Sequence, residues 1–157
     1  MPLFTVYTWP EISQEIKSKW IYQSTKITVE LLDTPPDKIQ VLIQEIAQEN
    51  WGKAGVVPTA SDFPHKSRVT NWSTQHSYHN QQSVVSNMVI ITVDAWNVSN
   101  QEQKNIWAKK LTDITVSLLN TSPDNVLILF RDMPPSHWSQ AGVTGNHSDF
   151  LMMSRQL

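Results

Sequence analysis

The chain contains no cysteine, so it has neither a disulfide framework nor a thiolate nucleophile. It also lacks any block of one charge: 12 basic and 14 acidic residues among 157 leave a formal net charge of -2. That balance argues against a nucleic-acid footprint and against a polybasic membrane patch. No apolar run approaches the ~20 residues of a membrane span, and residues 1–20 show no signal-peptide apolar core. Together these absences lead to an expectation of a soluble, cytoplasmic protein with neither nucleic acid nor membrane as partner. His76 and His79 are spaced as metal ligands can be, but two imidazoles in a polar stretch fall short of a closed ligand set. No metal or cofactor is expected. Four glycosylation sequons, at Asn71, Asn97, Asn120 and Asn146, read as by-products of an Asn- and Ser-rich composition.

What the chain does have is a repeat. Sliding it against itself by 87 residues aligns Met1–Thr70 with Met88–Leu157 without a gap, and more than a third of the pairs are identical. Trp9 meets Trp96, Trp20 meets Trp107, Pro36-Asp37 meets Pro123-Asp124, and Trp51 meets Trp138. The expected organisation is a first unit over 1–70, a linker over 71–87 and a second unit over 88–157. Two units of this size bury a shared core better than either does alone. The copies part at position 2, which is Pro2 in the first and Val89 in the second.

Each copy reads strand, helix, strand and turn-rich tail. Leu3–Thr8 and Val89–Ala95 are rich in β-branched and aromatic residues, as strands are. Ser13 and Asn100 stand where helix N-caps belong. Ile16, Trp20, Ile27 and Leu31, and then Trp107, Leu111, Ile114 and Leu118, form stripes at helical spacing. Pro36 and Pro123 end the helical segments. Ile39–Ile46 and Val126–Met133 are nearly continuous apolar runs, the pattern of strands covered on both faces. The fold class predicted is α+β: two tandem β-α-β units with right-handed parallel crossovers, giving a four-stranded sheet with two helices on one face. The other face stays apolar and calls for cover, which oligomerisation supplies most simply.

Pro2 carries the chemical signal. Methionine before proline is normally trimmed, which leaves a secondary amine at the start of the chain. An α-amino group has a reference pKa of ~7.7–8.0. An apolar pocket disfavours its cation and makes the free amine a usable general base near neutral pH.

Pro2-Leu3, the Ser13 helix start, Val41-Leu42-Ile43-Gln44-Glu45-Ile46 and Glu49-Asn50-Trp51-Gly52-Lys53-Ala54-Gly55 together resemble the 4-oxalocrotonate tautomerase family. The second copy is similar to it through Val126–Met133 and His137-Trp138-Ser139-Gln140-Ala141-Gly142. The chain thus resembles a fused, two-unit member of the tautomerase superfamily. The resemblance implies a homotrimer of fused chains and an isomerase whose N-terminal proline nitrogen moves a proton on a small enol or 2-keto acid. It carries the base over to Pro2 and an aromatic pocket wall to Trp51, with Trp9 or Trp96 approaching the proline.

The family's two carboxylate-binding arginines do not carry over. Their positions hold Ile12 and Gln40 in the first copy, Ser99 and Leu127 in the second. Neither Gln nor Leu reproduces the paired, charge-assisted bonds of arginine, so a dicarboxylate substrate is disfavoured and an apolar or aryl one favoured. The acid that dehalogenase relatives use falls at Lys53 and Gln140, and neither is a carboxylate. Arg131, Lys38 and its counterpart Asn125 remain as candidates for binding substrate. His137, beside Trp138, is the one imidazole near the aligned pocket. The alternatives are a non-catalytic oligomeric module of the same fold and a superfamily decarboxylase.

Overall fold

A computed structural model describes residues 1–61, 63–64, 87–96 and 99–155. The expected linker, apart from Asn87, lies outside the described residues, as do His76, His79 and the Asn71 and Asn97 sequon asparagines.

Strand β1 (Leu3–Thr8) leads into helix α1 (Gln14–Leu32) and strand β2 (Gln40–Glu45). The order recurs as β3 (Val89–Trp96), α2 (Gln101–Leu119) and β4 (Val126–Met133). Both helices start at their expected caps. The Ser13 side chain accepts from the Ile16 amide, and Asn100 with Gln103 makes a reciprocal capping box. Both end on a residue in the left-handed region, Asp33 (φ 49°) and Asn120 (φ 48°), side chains that tolerate it.

The sheet order is β2-β1-β3-β4. Within each unit the strands run parallel, as a β-α-β crossover requires, whereas β1 and β3 pair antiparallel, Leu3 opposite Asp94 and Thr8 opposite Val89. That one antiparallel seam relates the units by a pseudo-twofold axis. Both helices cover the same face, over a core of Phe4, Val6, Trp20, Val89, Ile91, Val93, Trp107 and Leu111.

The helix stripes carry buried polar residues as well. The Trp20 indole donates to Thr115 Oγ1 at 2.9 Å, and the Trp107 indole to Thr28 Oγ1 at 3.1 Å. Each hydroxyl also donates to a carbonyl one turn back in its own helix, so the crossed pair leaves no polar group orphaned.

The opposite face is open within the chain. Period-two alternation puts Leu42, Leu127 and Leu129 there, 50%, 50% and 44% exposed. The expectation of strands covered on both faces therefore does not hold for β2 and β4 in the chain by itself. The tail of the second unit forms a small hairpin, β5 (Ser139–Gln140) with β6 (Val143–Thr144), and a short helix, α3 (Phe150–Ser154). Ala141 and Gly142 turn that hairpin, both at positive φ, and Ala54 and Gly55 do the same in the first unit. Among the described residues no helix is long and apolar enough to cross a membrane.

Candidate active site

Antiparallel pairing of β1 with β3 has a consequence for every site residue. The start of β1 lies beside the end of β3, so each unit's tail packs on the other unit's strand start. At the β1 start, a cavity of about 270 Å³ is lined by Met1, Leu32, Asp33, Thr34, Lys38, Trp96, Phe150, Ser154 and Arg155, among others. Met1 and Lys38 come from the first unit; Trp96 and Phe150, their rings 5.6 Å apart, come from the second. Pro2 is buried next to Met1 and, with Met1 in place, does not itself line the cavity; its carbonyl accepts from the Gln40 amide at 3.1 Å.

Burial lowers the pKa of the Met1 α-amino group below its ordinary value, because the cation loses water and gains no compensating partner. With Met1 in place the Pro2 nitrogen is a tertiary amide without basicity. Removing Met1 shifts the free amine one residue along, about 3.8 Å, at the same buried chain start.

Lys38 is 6% exposed. Its Nζ donates to the Ser154 carbonyl at 2.8 Å and lies 3.5 Å from Asp37, a carboxylate that is mostly exposed. It therefore crosses from the first unit to α3 of the second.

Trp9 and Trp51 do not join this cavity. They cluster with Phe63, Met88 and Ile90 at the other end of β1, roughly 20 Å away at ~3.3 Å per strand residue. The expectation that they approach Pro2 is corrected here for the single chain: Trp9 closes the far end of the extended β1, and Trp51 follows β2, which runs parallel to it. Trp96 does line the Met1 cavity. Trp138, the repeat counterpart of Trp51, sits near it: its carbonyl accepts from Gly145, at which a β-carbon would stand 2.7 Å from the Trp96 ring.

Asn125 is likewise separated from Lys38 and lies at the far end. Its Oδ1 accepts from Lys53 Nζ at 3.3 Å, where burial lowers the lysine pKa and Asp124 partly opposes the shift. Among the described residues that end has no α-amine; the backbone there carries peptide amides. Met88 follows Asn87, whose amide donates to the Asn120 carbonyl and whose side chain bridges Trp9 N, Thr8 and Leu119.

Arg131 lies on the open face, bound to Asp94 at 2.6 Å and to Thr92 at 3.3 Å. It does not line the Met1 cavity, and its charge is already matched. His137 is exposed and does not line the cavity either. Phe150, Ser154 and Leu32 line the cavity but escaped the reading of the sequence. The signal for Phe150 was its repeat partner Phe63, 87 residues earlier, combined with a strand pairing that the sequence does not reveal.

The chain matches the family model described as tautomerase enzyme over residues 2–61 and 90–146, well over half its length. It belongs to the tautomerase family and is an isomerase. Among curated relatives it is 34% identical over 64 residues to a probable tautomerase of Ralstonia nicotianae, a match covering 41% of this chain and 91% of that one. It is 36% identical over 56 residues to 2-hydroxymuconate tautomerase of Comamonas testosteroni, covering 36% and 89%. Among solved structures it resembles native fused 4-OT, with TM-score 0.71 at 17% identity over 92% of this chain and 96% of that one. A member of the cis-3-chloroacrylic acid dehalogenase family gives TM-score 0.70 at 14% identity, over 99% and 92%. At such identities the two structures speak for the fold, which is the fused, two-repeat tautomerase fold.

Proposed function

We infer that this chain is a proline-dependent keto-enol tautomerase with one working pocket, at the β1 start. Its substrate is a small enol or 2-keto acid with an apolar or aryl body, and its assembly is a cytoplasmic homotrimer. One observation carries the reading: the Met1 α-amine, its pKa lowered by burial, opens onto a cavity walled by Trp96 and Phe150, while at the pseudo-symmetric end the backbone offers peptide amides in place of an α-amine. After loss of Met1, the neutral Pro2 nitrogen takes the enol hydroxyl proton as the carbonyl forms. The resulting prolinium returns a proton to the adjacent carbon, so no proton is gained or lost overall. The trimer reading draws on the uncovered leucines of the open face and on the trimers named for fused 4-OT structures.

The test compares Pro2→Ala with His137→Ala, turning over an aryl enolpyruvate. Pro2→Ala leaves a more flexible primary amine, so kcat/KM falls at least about tenfold, the low end of what a positioned acid-base group contributes. His137→Ala retains activity because His137 is exposed and outside the cavity. Loss of activity with His137→Ala and retention with Pro2→Ala overturns the assignment. Decarboxylation of the same substrate in place of isomerisation moves the chain to a different superfamily reaction.

A further inference from the structure

We propose that Lys38, Trp96 and Ser154 form a carboxylate-binding cluster in the Met1 cavity. It takes the single carboxylate of an aryl or alkyl enol acid in place of the two arginines absent at Ile12 and Gln40. This rests on the proposed reaction at Pro2 and names the group that orients its substrate.

Three observations converge on one cavity. Lys38 is a buried ammonium with three donors, and among the described residues it has one short bond, to the Ser154 carbonyl. Its carboxylate neighbour, Asp37, is 3.5 Å away and mostly in water, so the buried charge is under-compensated. Trp96 Nε1 and Ser154 Oγ are buried without a hydrogen-bond partner among the described residues, and both residues line the same cavity. Buried donors are rarely left unpaired. In the proposed site, a carboxylate entering where Met1 has been excised supplies acceptors to Lys38 and to these two donors, which Met1 and its neighbours otherwise close off from solvent.

The divergence between the repeats supports the assignment. Pro2 is replaced by Val89 and Lys38 by Asn125, and both changes fall on the far pocket. The end that has the α-amine has the buried Lys38, whereas Lys53 at the far end is only partly buried and already bonded to Asn125. The apolar part of the substrate lies against Trp96, Phe150, Leu32 and Leu151. At about 270 Å³ the cavity is just below the ~300 Å³ at which small-molecule sites begin, and Met1 is part of its wall. Excision of Met1 therefore enlarges it. Arg155 also lines the cavity but is exposed, so a second carboxylate gains no buried partner.

The experiment uses the full chain with Met1 removed and 3-phenylpropionate as an inert probe, followed by calorimetry. Lys38→Met weakens binding roughly tenfold or more, as expected for loss of a charge-assisted contact; Lys38→Arg restores part of it. Trp96→Phe and Ser154→Ala each weaken it about threefold. Lys38→Met also lowers kcat/KM for an aryl enolpyruvate by a larger factor than for its neutral methyl ester. Unaltered probe binding in Lys38→Met, or an equal loss on acid and ester, overturns the proposal. If Lys38→Met does not fold, wild-type affinity in both Trp96→Phe and Ser154→Ala overturns it instead. Failure of the Pro2 reading is separate: Pro2→Ala then keeps its activity, whatever the probe does.

Discussion

Gly145 gives the sharpest test of how the second unit's tail shapes a pocket that begins in the first unit. A β-carbon at this position stands 2.7 Å from Trp96 Cζ2 and 2.8 Å from the Pro135 carbonyl oxygen. The Gly145 amide is also tied to the carbonyls of Pro135 and Trp138, at 3.0 and 2.8 Å. The backbone has no room to retreat on the Pro135 side, so the Trp96 ring has to move. Overpacking of this kind costs about 1–3 kcal/mol. Because Trp96 lines the Met1 cavity against Phe150, its displacement also misplaces substrate, and a shift of about 1 Å in a positioning group costs on the order of 10²-fold in rate. Gly145→Ala is therefore expected to lose about 1–3 kcal/mol in urea unfolding at fixed protein concentration, to change the near-UV tryptophan circular dichroism, and to lose most of kcat/KM. Gly52→Ala is the control. Its β-carbon has only the Val56 carbonyl nearby, at 4.0 Å, an ordinary contact. Wild-type stability and activity in Gly145→Ala, or equal damage in Gly52→Ala, refutes the packing argument.

Burial lowers the pKa of the Met1 α-amino group, and Pro2 is itself buried, so the same cause is expected to keep the Pro2 base neutral at lower pH than a free α-amino group. The kcat/KM profile should rise with pH through an apparent pKa below ~7.7–8.0 and then level off; an inflection above that range contradicts the burial argument. On the open face, Leu129→Lys places a charge where a partner is expected to bury a leucine side chain, a burial worth about 1.5–3 kcal/mol. Sedimentation should show the proposed trimer giving way to smaller species, and an assembly unchanged by the substitution would mean that this face is not the interface.

The repeat, the capped helices and the strands were legible in the sequence because each is a local pattern. Ser13 and Asn100 announce helix starts by their own side chains, and the Trp107-Leu111-Ile114-Leu118 stripe follows from 3.6-residue periodicity. Pro2 stood out because proline has an unusual chemistry at a chain start, and the missing arginines because the positions where the family resemblance places them hold Ile12 and Gln40 in one copy, Ser99 and Leu127 in the other. The hydroxyls that receive the two indoles, Thr28 and Thr115, were hidden within helical segments as ordinary polar residues. They bond across units, and no spacing within one unit reports that. The pocket's membership was also out of reach. Trp51 lies 49 residues from Pro2 and belongs to the opposite end, whereas Phe150 and Ser154 lie almost a full chain away and belong with Met1. Sequence determined which residues exist in two copies and which copy holds the proline and the lysine. The antiparallel pairing of β1 with β3 decided which tail covers which strand start, because side chains distant in sequence become neighbours only when backbone hydrogen bonds fix the register between the units.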